Sequence, residues 1–215
     1  MSELVIANLG TGNLRSVFNA CAKVTESSRI CISDEPDRIL QAQHLILPGQ
    51  GAIGTWMRQL GQNPELEEAI RNRLKSGPVL GICLGLQALC QHSDEDGGVD
   101  GFGIFGARVR RFEGGMCDAD SVRMKVPHMG WNQVRQSADH PLWLKIEDRS
   151  RFYFVHSYYV DGGQESYTVG SCEYGVSFTA AAAQDNIFAT QFHPEKSHRA
   201  GLQLLNNFVN WNGTV

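Results

Sequence analysis

Through the first half of the chain, short apolar runs alternate with stretches whose apolar residues recur every three or four positions. Segments 4–7, 29–32 and 44–47 read as short buried strands. Asn13 is placed to cap a helix running to about Val24. Segments 36–41, 53–60 and 64–75 read as helices, the last two divided by Gly61-Gln62-Asn63. The run 78–82 is a further strand and passes directly into a helix over 84–91. This alternation predicts a parallel sheet with helices on both faces. In such sheets ligands gather at the carboxyl ends of the strands.

The second half changes character. Segment 94–103 is a polar, glycine-rich loop. Segments 109–112, 153–160, 167–172, 178–183 and 187–191 read as β at hairpin-like spacings, so this part is expected to be mixed or antiparallel. An amphipathic helix over 201–211 closes the chain, with Leu202, Leu205, Phe208 and Val209 as its core-facing stripe. No internal repeat or linker interrupts this order, and we expect a single domain over 1–215.

The densest chemistry lies where strand 78–82 meets helix 84–91. Gly81-Ile82-Cys83-Leu84-Gly85 places a cysteine between two glycines at a strand-to-helix turn. Such a turn lifts its central side chain out of the backbone, and glycines on either side avoid a Cβ clash. The amide of Leu84 then points at the same place and can stabilise an oxyanion. A helix N-terminus beneath the sulfur favours the thiolate, the reactive form. The competing reading is a tight turn around a buried thiol.

A base stands far down the chain. In Thr190-Gln-Phe-His-Pro-Glu-Lys-Ser197, His193 and Glu195 flank a proline that fixes the local backbone. An imidazole can take a thiol proton and later return it to a leaving amine, and a carboxylate can hold the useful tautomer. By itself His-Pro-Glu is also compatible with an ordinary loop.

Composition narrows the classes. With 42% hydrophobic and 20% charged residues, the 215-residue chain can bury one good core. A net charge of -4 without a basic cluster argues against nucleic acid. The apolar runs are too short to span a bilayer, and residues 1–6 lack the features of a signal peptide. Six cysteines show no paired spacing, and a nucleophilic thiol needs a reducing compartment, so a cytoplasmic location is expected. Gly10-Thr-Gly12 opens like a dinucleotide fingerprint, but Arg15 stands where its third glycine belongs. Neither Cys-x-x-Cys nor His-Glu-x-x-His occurs, and we expect no cofactor and no metal.

Taken together, the cysteine elbow and the His-Pro-Glu run resemble the class I (triad-type) glutamine amidotransferases, which hydrolyse glutamine to glutamate and ammonia. Lys125-Val-Pro-His-Met-Gly-Trp-Asn132, Phe152-Tyr-Phe-Val-His-Ser-Tyr158 and Gln191-Phe-His-Pro-Glu-Lys-Ser197 resemble, more narrowly, the glutaminase subunits of imidazole glycerol phosphate synthase in histidine biosynthesis. The resemblance runs from about Asn8 to Phe208. It implies an α/β, flavodoxin-like sheet of the class I amidotransferase type, mostly parallel, with a mixed portion in the second half.

The resemblance also assigns roles. Cys83, His193 and Glu195 would form the catalytic triad, with a γ-glutamyl thioester as intermediate. The oxyanion would be met by Leu84 and by Gly49, Gln50 and Gly51 of the Pro48–Gly51 loop, where many relatives carry valine in place of Gln50. On pattern alone that loop reads equally as a plain strand-to-helix turn. Gln87, one helical turn past Cys83, and Glu95 would contact the amino-acid head group, with the main chain of Ser157 and Tyr158 on the α-carboxylate. On spacing alone Glu95 is a solvated loop charge. Because the resemblance puts main chain at this site, it implies that His156 nearby is structural. His128, Met129, Trp131, Asn132 and Lys196 would face a partner, a (β/α)8-barrel cyclase subunit, in a heterodimer that receives the ammonia. The Pro48–Gly51 loop is the expected two-state element, keeping the isolated chain nearly silent until nucleotide binds the partner.

Three other readings compete. A related glutaminase would serve a different aminating partner. A free-standing cysteine hydrolase would be active alone. A redox-sensing thiol protein would have no need of His193 and Glu195.

Overall fold

The computed structural model describes residues 4–117, 123–163 and 165–214. The first residues of the N-terminal segment read above therefore lie outside the described residues. In chain order the first half runs β1 (Leu4–Ala7), α1 (Leu14–Cys21), β2 (Ile30–Ser33), α2 (Pro36–Leu40), β3 (His44–Gly49), α3 (Ile53–Gly61), α4 (Pro64–Arg73), β4 (Val79–Cys83) and α5 (Leu84–Leu89). The second runs β5 (Cys90–Ser93), β6 (Val99–Asp100), β7 (Phe105–Arg111), β8 (His128–Gln133), β9 (Arg135–Gln136), β10 (Arg151–His156), β11 (Tyr158–Val160), β12 (Thr168–Tyr174), β13 (Val176–Gln184), β14 (Ile187–Thr190) and α6 (His198–Val209).

The large sheet has the order β2-β1-β3-β4-β14-β13-β11-β7-β5-β6, with β12 branching from β13 and β9 pairing with β12. Strands β2, β1, β3, β4 and β14 are parallel, and β14 joins β13 antiparallel. The expected mixed second half is present, although β5 and β7 run parallel.

Period-two alternation sorts the core onto the two faces. Leu4 and Ile6 of β1 pack with Val17 and Cys21 of α1 and with Leu204 and Phe208 of α6. Val5 and Ala7 face the other way, against Ile39 of α2, Trp56 of α3, Ile70 of α4 and Leu86 of α5. The side chain of Asn13 accepts from the Ser16 amide and caps α1 as expected. Among the described residues no helix is long and apolar enough to cross a membrane.

Several elements depart from the sequence reading, among them β8, since no strand was expected over 128–133. Helix α5 ends at Leu89 rather than Gln91, because Cys90 turns extended and pairs with Phe105 on β7. The expected strand over 153–160 is two strands in two sheets. β10 pairs with β8 in a separate two-stranded sheet, whereas β11, after Ser157, joins β7 and β13. The closing helix begins at His198, a turn's length before the expected start.

Candidate active site

Cys83 ends β4 with φ 54° and ψ −102°, a left-handed conformation that costs a non-glycine residue energy and is held by its surroundings. The strain falls on the cysteine and not on its neighbours. Gly81 and Gly85 serve close packing. A Cβ on Gly81 would lie 3.0 Å from both Ala189 Cβ and Leu89 Cδ1, and one on Gly85 would collide with the Leu47 carbonyl. The glycines therefore let α5 sit tightly on β3 and β4, and the elbow forces Cys83 outward at the carboxyl end of the sheet.

Parallel pairing brings the base to the same place. Thr190 of β14 lies opposite Ile82 of β4, so His193 follows beside the elbow. A short turn over Pro194–Lys196 holds it there. The His193 amide donates to the Tyr153 carbonyl at 2.9 Å, and Ser197 Oγ donates to the His193 carbonyl at 2.6 Å. His193 Nδ1 lies 2.8 Å from Glu195 Oε1, and both side chains are almost wholly buried. His193 Nε2, the other ring nitrogen, is buried on the side of the Cys83 sulfur. Burial opposes charging of this imidazole. The thiolate form of Cys83 beside it, and then Glu195, outweigh burial and push its pKa up to about 10.

A pocket of about 400 Å³ opens over Cys83. Its wall includes Leu84 and Gln87 from the elbow helix, and Gln50 and Gly51 from the loop after β3. Glu95, Ser157, Tyr158 and Lys196 complete much of the rim. Glu95 is no free loop charge. Its Oε2 accepts from the Ile53 amide at 3.0 Å, at the start of α3. Burial raises its pKa against that hydrogen bond. Gly49 lies opposite Cys83 across β3–β4, and a Cβ there would approach Leu84 Cβ to 2.7 Å, so the loop backbone hugs the elbow.

The structure thus lines one pocket with Cys83, Leu84, Gln50, Gly51, Gln87, Glu95, Ser157, Tyr158 and Lys196, and buries the His193–Glu195 pair beside Cys83. It separates the residues expected at a partner surface. Met129 (62% exposed) and Trp131 (40%) project outward, with Trp131 stacked on His198. His128 does not join them. It is 3% exposed and stacked between Phe154 and Tyr174, because β8 turns alternate residues to opposite faces. Asn132 also lies on that inner side, donating to the Glu173 carbonyl.

Gln191 is a site residue that the sequence does not mark. It is fully buried and its Nε2 lies 3.7 Å from Cys83 Sγ. Only its place two residues before His193 in the chain hinted at it, since β14 ends at Thr190 and no strand periodicity carries through.

A family model, glutamine amidotransferase class-I, matches residues 5–211. The chain belongs to the class I glutamine amidotransferases. Among curated members of this family, it is 49% identical to the imidazole glycerol phosphate synthase subunit HisH of Nitrosospira multiformis, over 98% of this chain and 99% of that one. The HisH subunit of Nitrosomonas europaea is 47% identical at the same coverage, and that of Pseudomonas putida 46% over 99% of each chain. The amidotransferase fold extends to distant structures. A putative GMP synthase protein from Thermoplasma acidophilum superposes with a TM-score of 0.70 at 18% identity, covering 98% of this chain and 93% of that one. The glutaminase domain of Trypanosoma brucei CTPS gives 0.61 at 14% identity, covering 99% and 95%.

Proposed function

We propose that this chain is the glutaminase subunit of imidazole glycerol phosphate synthase, acting as one cytoplasmic amidotransferase domain. The observation that carries the reading is the strained Cys83 elbow beside the buried His193–Glu195 pair, in a pocket of amino-acid size. Near-full-length identity to HisH subunits supports the choice of pathway.

The Cys83 thiolate attacks the side-chain carbonyl carbon of glutamine. The tetrahedral oxyanion is met by the Leu84 amide and by an amide of the Pro48–Gly51 loop. His193, held charged by its neighbours, donates its Nε2 proton to the departing nitrogen, and ammonia leaves a γ-glutamyl thioester. The now neutral imidazole takes a proton from water, which attacks the thioester and releases glutamate. Glu195 keeps Nδ1 protonated throughout. Glu95 meets the α-ammonium of the substrate, and the main chain at Ser157 and Tyr158 meets its α-carboxylate.

Ammonia passes to the cyclase subunit. That partner converts phosphoribulosyl-formimino-aminoimidazole carboxamide ribonucleotide to imidazole glycerol phosphate and aminoimidazole carboxamide ribonucleotide. The docking surface is continuous with the pocket. Met129 and Trp131 of β8 pair across the small sheet with Val155 and Tyr153 of β10, and both of the latter line the pocket. Residues opposite each other in a sheet share a face. Lys196, its Nζ 5.9 Å from the Tyr153 ring centre, stands at the same mouth.

A glutamine analogue with an electrophilic γ-carbon tests the chemistry. Mass spectrometry of the treated synthase is expected to find one adduct, on Cys83, suppressed by excess glutamine. An adduct on another cysteine, or one that glutamine does not protect against, would remove Cys83 from the mechanism.

A further inference from the structure

A chain of hydrogen bonds runs from the pocket wall, which Cys83, Gln87, His156 and Tyr158 help to line, back to Asn132. Asn132 Nδ2 lies 3.3 Å from His128 Nε2. His128 Nδ1 lies 2.9 Å from His156 Nε2, and His156 Nδ1 lies 2.8 Å from the Tyr158 carbonyl. The same carbonyl accepts from Gln87 Nε2 at 3.0 Å. Gln87 Nε2 also donates to Gln191 Oε1 at 3.2 Å, and Gln191 Nε2 reaches Cys83 Sγ at 3.7 Å.

Chemistry fixes the direction of every proton in it. A carbonyl only accepts, so His156 carries its proton on Nδ1 and its neutral Nε2 is an acceptor. His128 must then donate from Nδ1, which leaves its own Nε2 to accept from Asn132. The Asn132 amide cannot be reversed, because its Oδ1 accepts from the Gln133 amide at 2.8 Å and its Nδ2 donates to the Glu173 carbonyl at 2.9 Å. A second proton on either ring would set two donors against each other. Burial holds both rings neutral, lowering His128 to about 4 and His156 to about 3.

We propose that His128 and His156 are positioning residues for glutamine binding. As a tautomer-locked pair they fix the Tyr158 carbonyl, and with it the 157–158 main chain and the Gln87–Gln191 amides beneath Cys83. This inference rests on the glutaminase reading and deepens it. Neither ring touches the reacting atoms in the proposed mechanism. A core role alone would require only their stacking, His128 between Phe154 and Tyr174 and His156 against Phe178.

His128→Phe separates the two roles, since it keeps an aromatic ring in the stack and removes the Nδ1 donor. His128→Asn restores a donor at the Nδ1 position. In the assembled synthase, H128F is expected to raise the KM for glutamine about tenfold, the worth of one buried hydrogen bond, with a smaller change in kcat. H128N is expected to return most of that loss. Histidine 15N spectra of the wild-type chain are expected to show His156 neutral and protonated on Nδ1, and H128F is expected to shift that signature. A folded H128F with KM within about twofold of wild type would overturn the proposal, since a lost buried hydrogen bond should be felt there. So would a His156 proton on Nε2 in the wild-type spectrum, a measurement that stands even if H128F does not fold. Failure of the wild-type synthase to hydrolyse glutamine would refute the glutaminase reading and leave the tautomer result standing.

Discussion

Cys83 holds a backbone conformation that side chains rarely adopt, and its partners hold theirs by burial. The charge on His193 depends on the sulfur beside it. The folded pKa of about 10 lies above the ordinary 6.5, so the favourable pairing is full below 6.5 and is lost as pH rises towards 10. Cys83→Ala removes the thiolate and leaves burial opposed by Glu195 alone. A histidine NMR titration is expected to find His193 charged through neutral pH in the wild type and titrating lower in C83A. An unchanged titration in C83A would mean that Cys83 does not sustain the imidazolium. At this scale the site was legible in part. Cysteine between glycines and His-Pro-Glu were each open to a bland reading and pointed to a triad only together, and Gln87 follows from helical spacing. Glu95 was not readable from spacing, because the Ile53 amide that holds it lies 42 residues away. The burial of His128 was latent in β8, where Met129 and Trp131 on one face place His128 on the other.

At the scale of elements, β4 and α5 meet with no spare room. Alanine at Gly85 would drive a methyl into the Leu47 carbonyl, a backbone atom that cannot turn aside. Gly61 ends α3 with nothing near its Cβ position. Urea unfolding is expected to show G85A destabilised by about 2 kcal/mol or more, through overpacking. G61A is expected to be neutral or slightly stabilising, by up to about 1 kcal/mol. Equal effects at the two sites would remove close packing as the reason for glycine at the elbow. The parallel βα half was readable because each strand is a short apolar run and each helix has its own periodicity and cap. The β10–β11 break was not. Phe152, Phe154, His156 and Val160 keep one period-two pattern across Ser157, so the change of sheet leaves no mark in the hydrophobic pattern. The early end of α5 was equally hidden. No glycine or proline stops it, and pairing with β7 decides the matter.

At the scale of the whole molecule, one face of the small sheet carries both the exposed Met129–Trp131 pair and the pocket-lining Tyr153 and Val155. A partner seated on that face covers the pocket mouth. In the proposed synthase, covering it would keep released ammonia from water and would let the partner act on the loop at Pro48–Gly51. Such coupling is wasted on an enzyme that works alone, so glutamine hydrolysis is expected to depend on the partner. The most direct measurement is glutamate release from glutamine by the purified chain, alone and with its cyclase subunit carrying the ribonucleotide ligand. Low activity alone and strong stimulation in the liganded complex is the predicted result. Substantial activity alone, unchanged by the cyclase, would contradict it and make the chain a free-standing hydrolase.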